Sequence, residues 1–232
     1  MTRRGRGAHV ADGAYGSKMD GSTTWGPVSV LWADASSAPE SLARDVAALG
    51  SGQLARHGAL DAAAARRFAL GRALIADVIE KTAGPGVDVE VSTVCERCGG
   101  AHGRVRHVSG RVALSVSYAG DLVVVAGADA AAGDIGVDIE RDDRDARRRV
   151  GELGRMFAPG AAPSLAEWTR IEAVLKADGR ALRVDPAEVT LSPRRSVARV
   201  PGRPEPVSVA TLSGPAGYVL SVAVARRAEA AR

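Results

Sequence analysis

Apolar and polar positions change period several times along this chain, and each change marks an element. From Val28 to Ala33 the run Val-Ser-Val-Leu-Trp-Ala has strand character. Ala62 to Ile79 switches to helical spacing, with Phe68, Leu74, Ile75, Val78 and Ile79 on one side. Arg72 falls at the border of that stripe, where an arginine snorkels or meets an anion. Gly84-Pro85-Gly86 stops the helix, and Val87 to Val91 alternate as a further strand. Arg111 to Tyr118 and Leu122 to Ala128 are strands joined by Ala119-Gly120-Asp121, which predicts a hairpin. Ile135 to Ile139 is another strand, closed by the charged run Glu140 to Arg149.

A helix is expected near Arg147 to Phe157, then a Pro- and Gly-rich break, then a second helix from Ser164 to Ala177. Ser164 and Glu167 stand at the spacing of a capping box. Glu188 to Val224 mixes β-branched residues with Pro and Gly turns, the pattern of a small antiparallel sheet. The order strand, helix, strands therefore occurs twice. This predicts an α+β fold of two similar halves, an N-terminal one over residues 25–130 and a C-terminal one over 131–232. Residues 1–24 hold Arg3, Arg4 and Arg6 with little apolar periodicity and read as a mobile basic tail.

Composition narrows the class. Of the 232 residues 46% are hydrophobic and 25% charged, which supports a buried core and excludes wholesale disorder. Aromatic residues are 3%, so Ala, Val and Leu must fill that core. No run reaches the roughly 18 to 20 apolar residues of a membrane span, nor is there the apolar region of a secretion signal. A monomeric cytoplasmic protein with no membrane partner is expected. The 31 basic residues exceed the 27 acidic ones, a formal charge of +4 that favours acidic proteins or phosphorylated ligands.

Two stretches hold candidate chemistry. In Gly136-Val-Asp-Ile-Glu140 a period of two puts Asp138 and Glu140 on one face of a strand. Adjacent carboxylates repel unless a cation lies between them, and hard oxygen donors suit Mg²⁺; the alternative is simple pairing with Arg141 or Arg144. In Trp168-Thr-Arg-Ile-Glu172-Ala-Val-Leu-Lys176 the apolar stripe is Leu165, Trp168, Ile171 and Leu175. Glu172 projects into that stripe, where burial requires a cation, and Lys176 lies one turn later at its edge. Taken alone this is also an ordinary surface Glu-Lys pair, worth about 0.3 to 0.5 kcal/mol.

Together, a strand ending G-V-D-I-E and a later W-x-x-x-E-A-x-x-K-A-x-G resemble the paired signature of the surfactin-type (group II) 4′-phosphopantetheinyl transferases. Leu114-Ser-Val-Ser-Tyr-Ala-Gly120 stands where that family has its S-H-S-G segment. Arg66-Arg-Phe-Ala-Leu-Gly-Arg72 is similar to its arginine-bearing first helix, and His102-Gly-Arg104 to its H-G-K-P loop. The likeness spans most of residues 25–224. It implies a pseudo-twofold fold with a coenzyme A cleft between the halves, and transfer of the phosphopantetheine arm to a serine of an apo acyl or peptidyl carrier protein. Adenosine 3′,5′-bisphosphate would be released. By that resemblance Asp138, Glu140 and Glu172 hold Mg²⁺ with the pyrophosphate, Glu172 is the base, and Lys176 steadies the phosphate and leaving oxyanion. Arg72, Arg104, Ser117, Tyr118 and Lys176 become coenzyme A contacts, with Arg56, Arg66 and Arg67 as further candidates. The chain departs from the family at Tyr118, where histidine is usual, at Ile171 in place of lysine, at Arg104-Val105 for Lys-Pro, and at Arg180-Ala181.

Cys95-x₂-Cys98-x₃-His102-x₄-His107 offers four ligands of a type that wraps tetrahedral Zn²⁺, against two reduced thiols. It supports a rival reading, a basic zinc-knuckle protein tracking phosphates of nucleic acid with its tail and Arg141 to Arg149. The few aromatics leave no stacking platform for bases, and Asp142, Asp143 and Asp145 interrupt the basic run, so a nucleic-acid partner is not expected. A degenerate transferase that binds coenzyme A or carrier without turnover is the other alternative.

Overall fold

The computed structural model describes residues 19–38, 42, 46, 51–158, 160–180 and 183–226, and has an α+β architecture. Its strands are β1 (Gly21–Trp25), β2 (Val28–Asp34), β3 (Val91–Ser92), β4 (Arg106–His107), β5 (Val112–Ala119), β6 (Leu122–Asp129) and β7 (Asp134–Arg141). In the last third of the chain follow β8 (Thr190–Leu191), β9 (Val197–Arg199), β10 (Val207–Leu212) and β11 (Tyr218–Ala225). The α-helices with described bounds are α1 (Ser51–Gly58), α2 (Ala62–Ala83), α3 (Arg144–Leu153) and α4 (Leu165–Asp178), besides short 3-10 turns.

The strands form an antiparallel sheet ordered β1-β2-β6-β5, a second ordered β7-β11-β10-β9-β8, and the small β3-β4 pair. Three apolar clusters stack these parts in the order helix, sheet, sheet, helix. Leu70, Leu74, Ile75 and Ile79 of α2 pack on Leu31, Val123 and Val125 of the first sheet. The opposite face of the same strands, through Val28, Val30, Val124 and Ala126, meets Ile135, Val137, Ile139, Leu220 and Val222 of the second sheet. Ala173, Val174 and Ala177 of α4 cover the far side of that sheet at Val209, Ala223 and Ala225. Burial on both faces explains why Leu122 to Ala128 is nearly continuous apolar sequence.

Local chemistry agrees with these ends. Asp61 caps α2 by accepting the Ala64 N–H at 2.8 Å. Ser164 and Glu167 form the reciprocal capping box of α4, and the Ser164 hydroxyl and N–H, both donating to Glu167 Oε2, hold the Glu167 carboxyl down at about 2. The β5–β6 ladder runs to Ala119 opposite Leu122, so the turn is Gly120-Asp121, with Gly120 at φ 63°.

Several boundaries differ from those read along the sequence. Gly21–Thr24, expected in the tail, are strand β1, paired with β2 although the segment is polar, because an edge strand needs only its backbone partners. The rest of the expected tail, residues 1–18, lies outside the described residues. Of Val87 to Val91 only Val91 is paired, and α3 begins at Arg144, three residues early, because Asp143 caps it on the Ala146 N–H. No described helix is long and apolar enough to cross a membrane.

Candidate active site

Strand β7 positions the candidate carboxylates through its alternation. Ile135, Val137 and Ile139 enter the core between the sheets, which turns Gly136, Asp138 and Glu140 to the other face, under α4. The helix comes down on the strand at Gly136. A Cβ there would overlap the Ala173 carbonyl oxygen and fall 2.6 Å from the Ala177 nitrogen. Only glycine fits this crossing, and the two alanines keep the helix down on the strand. Glu172 and Lys176, each the residue before one of these alanines and one helical turn apart, are thereby brought to the same pocket as Asp138 and Glu140.

All four side chains line one pocket of about 710 Å³, together with Ser117, Tyr118, Arg149 and Trp168. The Lys176 ammonium donates its three protons to Asp138 Oδ1 (2.6 Å), Ser117 Oγ (3.0 Å) and the Val137 carbonyl (3.1 Å). Ser117 donates in turn to Asp138 Oδ1 at 2.9 Å and accepts the Ile139 N–H at 3.4 Å. Asp138 is 6% exposed, and its second oxygen, Oδ2, is buried with no hydrogen-bond partner. Native structures rarely leave such an oxygen orphaned, and a buried carboxylate oxygen without a donor is what a cation would satisfy.

The other two acids share this electrostatic strain. Burial raises the Glu172 carboxyl above the usual glutamate range, and Asp138 and then Glu140 add to the shift against Lys176. Glu140 is raised by burial and by Asp138, opposed by Arg149, whose Nη2 lies 3.5 Å from Glu140 Oε2. Glu140 thus pairs with Arg149 rather than with Arg141 or Arg144, since α3 turns Arg149 back over the strand end. Four acids line the pocket, Glu152 with these three, against the two cations Arg149 and Lys176. The donors are hard oxygens, the ligand type Mg²⁺ takes, but the three carboxylates do not converge as they stand: among the described residues only Cys95, Cys98 and His102 bring three ligand atoms within 4.8 Å of one another.

A second recess of about 330 Å³ adjoins the first, sharing Val116, Tyr118 and Lys176 as a common wall. Its cationic lining is Arg56, Arg72, Arg104 and Lys176, with the His102 ring beside them. Arg72 is 4% exposed, stacked 4.2 Å from the Phe68 ring centroid and bonded through Nε to Gln53 Oε1 at 2.7 Å. Arg56 sits over the same ring at 5.6 Å and donates to the Ala101 carbonyl at 2.9 Å. Arg104 donates to the Ile135 carbonyl at 2.9 Å and lies 3.7 Å from Asp134. Tyr118 is 44% exposed as a residue, but its hydroxyl lies against Gly71 near Arg72, and burial of that hydroxyl raises its pKa. Neither Arg66 nor Arg67 lines the recess; Arg67 pairs with Asp121 at 3.2 Å.

Ser117 lines the acidic pocket instead of the recess, its hydroxyl occupied by Asp138, Lys176 and Ile139. Sequence reasoning did not find Gln53, Arg149 or Ser115, whose Oγ accepts the Val137 N–H at 3.0 Å. The spacing of small residues Gly136, Ala173 and Ala177 was a usable signal for the helix–strand crossing.

The cysteine cluster holds three of its four expected members. His107 is separate: it is 4% exposed within β4, with Nε2 at 2.7 Å from the Asp88 carbonyl. Cys98 Sγ and His102 Nε2 are 3.3 Å apart, and the Arg97 and Cys98 N–H groups aimed at Cys95 hold its thiol down at about 7. The basic run after β7 is answered by acids, with Arg147 on Asp142 at 2.7 Å, Arg148 on Glu152 at 3.4 Å and Arg149 on Glu140 at 3.5 Å. Those arginines do not form an unopposed phosphate track. In comparisons with known proteins, no family model matches the chain and no curated protein matches it.

Proposed function

We propose that this chain is a Mg²⁺-dependent 4′-phosphopantetheinyl transferase that converts apo acyl or peptidyl carrier proteins to their holo forms. The observation that carries the reading is the meeting of Asp138, Glu140, Glu172 and Lys176 in one pocket, with Asp138 Oδ2 buried and unpartnered beside a cation-lined recess. In this reading the two sheet-and-helix units are pseudo-twofold halves, and coenzyme A lies between them, its nucleotide in the recess and its diphosphate at the shared wall.

Asp138, Glu140 and Glu172 would hold Mg²⁺, which when bound neutralises a diphosphate that otherwise faces three carboxylates. Arg72, Arg104 and the Tyr118 hydroxyl seat the phosphorylated nucleotide end. Glu172, whose raised carboxyl is a better proton acceptor than an exposed glutamate, takes the proton from the carrier serine, directly or through water. The serine oxygen then bonds to the phosphorus that bears the pantetheine arm, and the bond from that phosphorus to the bridging oxygen breaks. Adenosine 3′,5′-bisphosphate leaves, its new charge met by Lys176. All three Lys176 protons are engaged within the protein, so it reaches an anion by exchanging one of its present acceptors. Ser117 acts through Lys176 and Asp138 as a positioning residue.

The formal charge of +4 suits an acidic carrier protein, and encounter slows as salt rises. Incubation with coenzyme A, Mg²⁺ and several apo carrier proteins, read by intact mass, tests the reading. Wild type adds one phosphopantetheine to a carrier; Asp138→Ala and Glu172→Ala do not. Coenzyme A binding without any mass gain would establish the degenerate alternative, and zinc-dependent retention of nucleic acid the knuckle alternative.

A further inference from the structure

We propose that Cys95, Cys98 and His102 bind one Zn²⁺ that clamps the loop between β3 and β4. The loop is closed at its base by the pairs Val91–His107 and Ser92–Arg106 and by the Gly103 N–H on the Thr93 carbonyl at 2.7 Å. Inside it the chain folds into a tight knuckle. The Cys95 N–H donates to the Gly100 carbonyl and the Gly99 N–H to the Cys95 carbonyl, both at 2.8 Å, with Gly99 at φ 72°. The glycines let the turn close: a Cβ on Gly100 would sit 3.2 Å from the His102 ring, and one on Gly103 would be 2.5 Å from the Val94 carbonyl oxygen.

This geometry brings Cys95 Sγ, Cys98 Sγ and a His102 ring nitrogen within 4.8 Å of one another. From Val94 to His102 no residue is buried, and Val94 itself is 57% exposed. An ordered turn without an apolar core of its own is the setting in which a metal supplies the missing cohesion. Two thiolates and an imidazole select a borderline-soft ion, and Zn²⁺ needs no oxidant to bind: both thiols release their protons, and charge is balanced. Cys98 and His102 are exposed, so a water completes the tetrahedron from the solvent side. The clamp ends at the recess wall, since His102, Gly103 and Arg104 belong to both. It thereby fixes a surface used in the transferase reading without depending on it.

The test uses the full chain, purified reduced and given Zn²⁺, with native mass spectrometry and competition against a chromogenic chelator. One zinc per chain is expected. Cys95→Ser, Cys98→Ser and His102→Ala should each weaken binding by on the order of a hundredfold, while His107→Gln leaves the stoichiometry unchanged. Co²⁺ in place of Zn²⁺ should give thiolate charge-transfer absorption that the double Cys→Ser variant lacks. Removing the metal should speed amide exchange over residues 94–103 and leave β5 and β6 protected. A wild-type chain that stays metal-free with added Zn²⁺, a cobalt complex without thiolate bands, or equal binding by Cys98→Ser would each overturn the proposal. So would a stable Cys95–Cys98 disulfide in the purified chain, lighter by two hydrogens and blind to zinc. None of these readouts involves coenzyme A or a carrier, so this proposal and the transferase reading fail separately.

Discussion

Gly136 lies directly beneath the Ala173 carbonyl, at a crossing where a single methyl group would occupy the same space as the helix backbone. That contact sets how near α4 comes to β7, and with it the distance from Glu172 and Lys176 to Asp138 and Glu140.

Gly136→Ala should therefore act on the fold and on the site together. The overlap is with backbone, which cannot rotate away, so the cost should be at the upper end of the ~1–3 kcal/mol usual for overpacking. Urea unfolding reads the stability. A variant with wild-type stability would show that the crossing is not fixed by this glycine.

Lys176 and Asp138 should be strongly coupled. Lys176→Met leaves the Asp138 carboxylate buried with one donor fewer, and should destabilise the chain by about 1–3 kcal/mol, less than a fully buried pair because the lysine is partly exposed. Adding Asp138→Asn should recover part of that loss while leaving transfer to a carrier abolished. A double-mutant cycle from thermal unfolding measures the coupling, and simple additivity would contradict the pairing.

Stability should depend on pH with a sign set by the raised carboxyls, Glu172 and Glu140 at the site together with Asp77 of α2, which burial pushes up to about 6. Between the ordinary glutamate value and the raised one, the folded metal-free chain binds more protons than the unfolded chain. The stabilisation is complete below that window and is lost as pH rises through it. Mg²⁺ competes with those protons, so its effect on Tm should grow from mildly acidic to neutral pH. Glu172→Gln should lessen the metal-free slope, leaving the part due to Asp77 and Glu140, and reduce the Mg²⁺ effect. A Mg²⁺ response independent of pH, measured by scanning calorimetry, would argue against ion binding at these acids.

Ser117→Ala removes one acceptor from Lys176, one donor from Asp138 and the partner of the Ile139 N–H. Loss of stability by about 1–3 kcal/mol is expected from the groups left without partners. Transfer should slow while affinity for coenzyme A changes little, because the hydroxyl lies outside the recess; titration calorimetry and single-turnover rates separate the two.

Much of this was legible in the sequence where one periodicity or one cap decides the outcome. The Ser164–Glu167 box fixes the start of α4, and strand alternation alone puts Asp138 and Glu140 on one face. What linear spacing could not show is how distant segments meet. His107 stands close to the cysteines in sequence, yet β4 turns its ring inward to Asp88. Glu140 meets Arg149 because α3 folds back, whereas nearest-neighbour reasoning favoured Arg141 and Arg144. Strand β1 has no apolar alternation to betray it, since its Gly-Ser-Thr-Thr-Trp sequence holds an edge position by backbone pairing.

The junction of β5 with β7 has a geometric consequence of its own. These are the edge strands of the two sheets, and they meet through Ser115 and Ser117 hydroxyls on the Val137 and Ile139 amides, without a continuous backbone ladder. A ladder would merge nine strands into one surface, and its handed twist, about 20° per strand, would swing α2 and α4 apart. Serine rungs tolerate an angular step between neighbours, so each sheet keeps its own coil and both cavities can open along the same seam.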